Sequence, residues 1–139
     1  MTLVTATPDA VRALVRAAGL PADDLARDAH VRAVEDAGAT VGCVAVEVYG
    51  GAGLLRSLAV AEPHRGRGLG RRLVGAAEAV AREAGLETLV LLTTTAAPFF
   101  QSLGYHETGR EAVPAAVRAS SEFTSTCPAS AVCLVKDLA

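Results

Sequence analysis

Apolar residues recur at helical spacing over Leu69, Leu73, Ala76, Ala77, Val80 and Ala84, and Gly85 closes the run, which predicts a helix of about four turns. Within it Glu78 and Arg82 read as an exposed i,i+4 pair. A shorter apolar face, Val11, Leu14 and Val15, follows the start signal Thr7-Pro8-Asp9: a cap, a proline at the first position and an acid in the first turn. Gly19-Leu20-Pro21 stops that helix, and Pro21-Ala22-Asp23-Asp24-Leu25 predicts a second short one.

Elsewhere the period is two. Leu3 to Ala6 reads as a first strand, and His30 to Glu35 alternates. A turn at Asp36-Ala37-Gly38-Ala39 leads into the run Val41 to Val48, so these two segments form a hairpin. Tyr49 to Gly53 makes a second turn before a further strand, Leu54 to Val60, which Pro63 ends. Thr88 to Leu92 is short and almost wholly apolar, as a buried strand reached by a helical crossover would be, and therefore runs parallel to the strand before the long helix. A short helix at Pro98 to Leu103, a strand at Tyr105 to Gly109, a helix from Pro114 to about Phe123 and a last strand at Ala131 to Lys136 complete the chain. The class is α+β: a mixed sheet of about six or seven strands with helices on both faces, in one domain over residues 1–139.

Composition narrows the function. A chain of 139 residues that is 51% hydrophobic can bury a real core. No apolar run approaches the roughly 20 residues that cross a bilayer, and the start of the chain lacks the order of a signal peptide, so no membrane is expected and the cytoplasm is the expected compartment. Cys43, Cys127 and Cys133 are odd in number and have no metal-binding spacing; reduced thiols and no metal are the expectation. A net charge of -2 with mixed signs argues against nucleic acid. Yet His64 to Arg72 is locally basic, and that charge calls for a local anion.

The basic stretch contains Arg65-Gly66-Arg67-Gly68-Leu69-Gly70, a glycine-rich turn between a strand and a helix. Such a turn presents backbone N–H groups and the positive end of a helix dipole to an anion, and glycine lets a phosphate approach closely. Arg65, Arg67, Arg71 and Arg72 add side-chain donors. The dinucleotide fingerprint fails, because Leu73 stands where glycine is needed, and a P-loop fails for want of Gly-Lys-Ser/Thr.

Leu58-Ala59-Val60, Pro63 and Arg65-x-x-Gly68-x-Gly70 together resemble the acyl-coenzyme A signature of the GNAT acetyltransferases. Ala97-Pro98-Phe99-Phe100-Gln101-Ser102-Leu103-Gly104-Tyr105 resembles a second segment of that family. The resemblance implies the GNAT fold and acetyl-CoA as co-substrate. Its pyrophosphate would bind Gly66, Arg67, Gly68, Leu69, Gly70 and Arg71 beside Arg65, its pantetheine arm would pair with Leu58, Ala59 and Val60, and Phe99 and Phe100 would line its path. Transfer to an amine would be direct, with a backbone N–H near Ala59 or Val60 as oxyanion donor.

Two positions depart from the family pattern. Phe100 stands where tyrosine often protonates the departing thiolate, and Thr94 where asparagine is frequent. Water, Thr94, Thr95 or the departing ammonium would then serve, or the thiolate leaves unprotonated. Glu47 reads either as a base acting through water or as an exposed strand-end acid, and the family's usual glutamate falls near Leu54. Arg56 suggests a carboxylate or phosphonate-like group on the acceptor, with a surface ion pair as the plainer reading, and Ser57 and Thr93 lie beside it as substrate contacts. A nucleophilic role for Cys127 has no histidine nearby to support it.

The segments Leu54 to Leu58, Leu91 to Thr95 and Glu122-Phe123 to Ala131 further resemble a GNAT subgroup associated with bacterial arsenic resistance. That implies a small-molecule acceptor such as an amino acid-like arsenical or phosphinate. The rival readings are an acyl-CoA binding module without transferase activity and a protein-modifying acetyltransferase. Dimerisation is common in the family, and the final strands are where a homodimer would form.

Overall fold

The computed structural model describes residues 1–126 and 130–138, and the main chain alone at 125 and 126. Strands β1 (Thr2–Ala6), β2 (His30–Asp36), β3 (Ala39–Tyr49), β4 (Ala52–Val60), β5 (Thr88–Thr93), β6 (His106–Glu107) and β7 (Val132–Asp137) form one sheet. Its order is β1-β2-β3-β4-β5-β7-β6. The β4–β5 pair is parallel and the other five pairs are antiparallel. Helices α1 (Pro8–Ala17), α2 (Leu69–Glu83), α3 (Ala97–Ser102) and α4 (Ala115–Arg118) lie between the strands in sequence. No helix of the described residues is long and apolar enough to cross a membrane.

Strand alternation divides the core. Val44, Val46, Leu55, Leu89, Leu91 and Leu134 pack with Leu69, Leu73, Ala77 and Phe100 under α2 and α3. Their neighbours Cys43, Ala45 and Ala59 point the other way, onto Val11 and Val15 of α1. Leu54, Val90 and Cys133 share that second face and meet Val113 and Val117. Helices therefore cover both faces, as expected for adjacent residues that are apolar on either side.

Four local expectations fail. Pro21 to Leu25 forms turns rather than a helix, because tertiary contacts claim its groups: Arg12 donates to the Ala22 carbonyl at 2.5 Å and Asp23 pairs with Arg16, while Ala22 and Leu25 are buried. The strand expected from Tyr105 to Gly109 contracts to His106–Glu107, and the helix expected to Phe123 breaks after Arg118 before a π-helical turn at Glu122–Thr126. There Ser121 Oγ donates to Asp24 at 2.6 Å, drawing the segment onto the sheet. Glu78 is buried rather than exposed; it accepts from Tyr105 Oη at 3.0 Å and from Lys136 Nζ at 3.1 Å, with Arg82 farther off at 3.8 Å.

Candidate functional site

The site begins where two parallel strands part. β4 pairs with β5 only from Ala52 to Leu54, against Thr88 to Val90, although β3 follows β4 to Val60 and β7 follows β5 to Thr93. Cys43 faces Ala59 and Ala45 faces Arg56, so β4 carries one more residue than β3 here, a bulge centred on Ser57 with φ 58°. A non-glycine residue in the left-handed region is strained, and bulges of this kind re-aim a strand. Beyond the divergence a cavity of about 530 Å³ opens between Leu55 to Val60 and Leu91 to Ala96, with Phe100 and Ala131 in its walls.

At one end lies the glycine-rich turn. Gly66 and Gly68 have φ of 81° and 80°, and a Cβ added at either would meet nothing within 4 Å, so backbone conformation and ligand approach, not internal packing, call for glycine. Gly68 caps α2 without any side-chain hydrogen bond, and no acid stands in the first turn. The helix N-terminus is thus presented outward beside Arg65 and Arg71. A second cavity of about 300 Å³ is lined by these residues with Val60, His64, Leu69, Gly70 and Phe99; Arg67 is exposed on the turn but outside that lining. The two cavities share Val60 and Arg65, and Arg65 Nε donates to the Val60 carbonyl at 3.0 Å. Phe99 stands at the turn, 3.3 Å from where a Gly70 Cβ would be, and Phe100 packs edge-on between Phe99 and Tyr105.

The other end is ionic. Arg56 lies inward with its side chain 0% exposed. Nη1 and Nη2 donate to the two oxygens of Asp24 at 3.1 and 2.6 Å, Nη2 reaches the Pro21 carbonyl at 3.3 Å, and Nε reaches Ser57 Oγ at 3.4 Å. Glu47 and Glu122 stand at 3.5 and 3.8 Å. Burial alone would lower the Arg56 pKa, but these three carboxylates outweigh it and hold the guanidinium charged. Arg56 is thus buried in a network of one cation and three acids, and every nitrogen of its guanidinium already has an acceptor within the protein.

Glu47 is not an exposed strand-end acid. Both its oxygens are engaged, one by Tyr49 Oη at 2.8 Å and one by the Ala26 N–H at 2.9 Å, and it does not line the cleft. Thr93, Thr94 and Thr95 do line it; the Thr93 hydroxyl accepts from the Ala96 N–H at 2.9 Å. Both tyrosines are turned to carboxylates, Tyr49 to Glu47 and Tyr105 to Glu78. Burial first, and those carboxylates next, push both phenols above their ordinary range, and neither tyrosine is among the residues lining the cleft. Cys43 and Cys133 are buried free thiols; Cys127 lies outside the described residues. The described residues hold no cluster of acids, histidines and cysteines fit for a metal. One cleft residue, Glu122, has no role in the sequence reading, where it appears only within a segment of family resemblance.

The family described as an acetyltransferase (GNAT) domain matches residues 27–107. An uncharacterized N-acetyltransferase of Chlorobaculum tepidum is 41% identical over 78 residues, 55% of this chain and 50% of its own length. An amino-acid acetyltransferase of Azotobacter vinelandii is 42% identical over 85 residues, 60% of this chain and 20% of its own. The chain thus matches half or less of the length of these relatives. Rv2747 from Mycobacterium tuberculosis, solved in complex with CoA, superposes with a TM-score of 0.83 over 100% of both chains at 23% identity. N-acetylglutamate synthase from Neisseria gonorrhoeae, solved with coenzyme A and N-acetyl-glutamate, superposes with a TM-score of 0.79 over 100% of this chain and 36% of its own at 20% identity. At these identities the structural likeness carries the fold.

Proposed function

Because the chain belongs to the GNAT acetyltransferase family, we propose that it is an acetyl-CoA dependent N-acetyltransferase of one domain that acts on the amine of a small molecule by direct attack in a ternary complex. The observation that carries this is the parting of β4 from β5 beyond Leu54 and Val90, which opens a cleft continuous with the glycine-rich turn. The described residues fit the donor. Positive-φ glycines and an uncapped helix N-terminus suit a pyrophosphate, with Arg65 and Arg71 beside it. The unpaired edge of β4 over Leu58, Ala59 and Val60 suits the amide-bearing pantetheine arm. Relatives solved with coenzyme A support the same donor.

The bulge at Ser57 turns the following backbone, and the N–H of Ala59 or Val60 is the oxyanion donor in this reading. Thr94 and Thr95 are the hydroxyls available to the departing thiolate. Arg56 and Ser57, with Thr93, form the acceptor wall, Arg56 acting through the carboxylates it gathers.

For the acceptor itself, the amino-acid acetyltransferase relatives favour an amino acid-like amine. The resemblance to the arsenic-resistance subgroup makes an arsenical or phosphinate analogue a specific candidate. Free Cys43 and Cys133 support a cytoplasmic setting, and β6, an outer strand, is where a second copy would add.

The test is thiol release from acetyl-CoA against a panel of amines, amino acids, phosphinothricin and arsenical amino-acid analogues. Amine-dependent release of coenzyme A is expected with at least one of them. Tight acetyl-CoA binding with no stimulation by any amine, weakly basic ones included, would leave a binding module and end the transferase reading.

A further inference from the structure

The geometry points to Glu122 as the group that receives the acceptor's ammonium and removes its proton, an inference that rests on the acetyltransferase reading above. Alkylamines resemble lysine, with an ordinary pKa of about 10.4, and enter a neutral solution as ammonium ions. An ammonium has no lone pair and cannot attack a thioester. The cleft must therefore supply a proton acceptor.

Among the described residues, the titratable side chains lining the cleft are Arg56, Arg65 and Glu122. The two guanidiniums cannot accept a proton at neutral pH. The hydroxyls of Ser57, Thr93, Thr94 and Thr95 are too weakly basic. Glu122 is the one carboxylate in that wall, and it is buried. Glu47, the base that the sequence suggests, stands outside the cleft with both oxygens held.

The surroundings of Glu122 suit a cation. Its Oε1 lies 3.8 Å from Arg56 Nε, whereas Asp24 takes the same guanidinium at 2.6 Å and Glu47 stands at 3.5 Å. Among the described residues one guanidinium, Arg56, is shared by three carboxylates, and an incoming ammonium adds positive charge to that cluster. In the same cluster Tyr49 Oη donates to Glu47 and Ser121 Oγ donates to Asp24. On the other side Arg110 sits over the Phe123 ring at 5.9 Å and donates to the Ala131 carbonyl at 3.1 Å, and Arg65 lies at the cofactor end.

In the step itself, an N–H proton of the ammonium passes to a Glu122 carboxylate oxygen, freeing the nitrogen lone pair. The lone pair attacks the thioester carbonyl carbon, the C–N bond forms and the C–S bond breaks. A second N–H proton, lost by the nitrogen as the amide forms, goes to the coenzyme A thiolate, and Glu122 returns its proton to solvent. One proton is released for each acetyl group transferred.

Glu122→Gln tests this with two classes of acceptor. An ordinary alkylamine or amino acid that the wild type accepts carries its amine as an ammonium at pH 7; 2,2,2-trifluoroethylamine is already uncharged there. For the ordinary amine kcat/KM is expected to fall by about 10²–10³, with the loss shrinking as pH rises toward the amine's own pKa. For trifluoroethylamine it should change less than about threefold, because no proton need be removed before attack. Glu122→Asp, which keeps the charge, should keep the wild-type pH profile at reduced rate, and thermal unfolding with acetyl-CoA titration shows that each variant is folded and loaded. An equal loss for both amines makes Glu122 structural and overturns the proposal, as does an unchanged pH profile in Glu122→Gln. Should the wild type itself release no coenzyme A with either amine class, the transferase reading fails and Glu122 with it. Should only the variant comparison go the other way, that reading stands without this residue.

Discussion

Replacing Arg56 by alanine leaves Asp24, Glu47 and Glu122 gathered around a vacated cation. Their side chains are 21%, 3% and 7% exposed, so solvent does little to screen them. Breaking a buried ion pair from one side costs about 3–5 kcal/mol, because the abandoned charge remains desolvated. That is a large share of the roughly 5–15 kcal/mol by which a domain is stable. At about 4 °C per kcal/mol for a chain of this length, Tm should fall by about 12–20 °C. The sign with pH follows from proton counts. Crowded carboxylates without their cation bind protons more readily in the folded variant than in its unfolded chain, so unfolding releases protons and stability declines as pH rises. The Tm difference from wild type should therefore be larger at pH 8 than at pH 5.5, as read by circular dichroism. Combining Arg56→Met with Asp24→Asn and Glu47→Gln removes most of the excess charge and should recover much of the loss. A fall below about 4 °C at both pH values, accompanied by a selective rise in acceptor KM, would refute this and make Arg56 an acceptor contact.

Four further outcomes are expected. Gly68→Val forces a β-branched residue to φ 80°, a strain of at least about 1–2 kcal/mol in an exposed turn; the protein should fold yet bind acetyl-CoA at least about tenfold more weakly by calorimetry, and unchanged affinity would remove the turn from the site. Burial pushes the Cys43 thiol up to about 12 and the Cys133 thiol up to about 11, so in native protein at pH 8 neither should be alkylated by iodoacetamide, as peptide mass mapping would show. Because those raised values hold protons in the folded state, their stabilising contribution is complete below about pH 8.5 and is lost as pH rises through the folded values, and alkaline melting curves should show the decline. Lys136→Met strands the buried Glu78 carboxylate between α2 and β7 and should cost about 3 kcal/mol in denaturant titrations; kcat per folded molecule should stay the same, and a selective loss of kcat would place Lys136 in the chemistry instead.

The fold was legible wherever hydrophobic period and punctuation agreed. The run from Leu69 to Ala84, bounded by Gly68 and Gly85, gave α2 almost to the residue, and the apolar stretch at Thr88 gave a parallel strand in place. The conformation of the glycine-rich turn was legible because it is built from contiguous backbone, where glycine positions record φ directly. The corner around Arg56 was not. It is assembled from the turns after α1, the middles of β3 and β4 and the segment at Ser121 and Glu122, with contacts as distant in sequence as Asp24 to Ser121. Local pattern made Pro21 to Leu25 a helix, yet Asp24 lies there to meet Arg56, and helix propensity yields to that pairing. Glu47 could not be told from a surface acid because, Tyr49 apart, its partners Ala26 and Arg56 arrive from other segments.

The cleft therefore has two ends of opposite character, and the bulge at Ser57 joins them. Toward the glycine-rich turn stand Arg65 and Arg71 with the positive end of α2, all open to solvent, as suits an anion that binds and leaves. Toward Arg56 the excess is negative and buried, as suits a cation that must surrender a proton in a dry site. Because β4 runs continuously from Arg56 to Val60, one strand sets the distance between the two ends. In the proposed reading, a change in the bulge would move acceptor and donor relative to each other while leaving either binding end intact. On the same reading this separates the positioning of the two reactants from the binding of each, and it gives the strained, non-glycine Ser57 beside Arg56 a purpose.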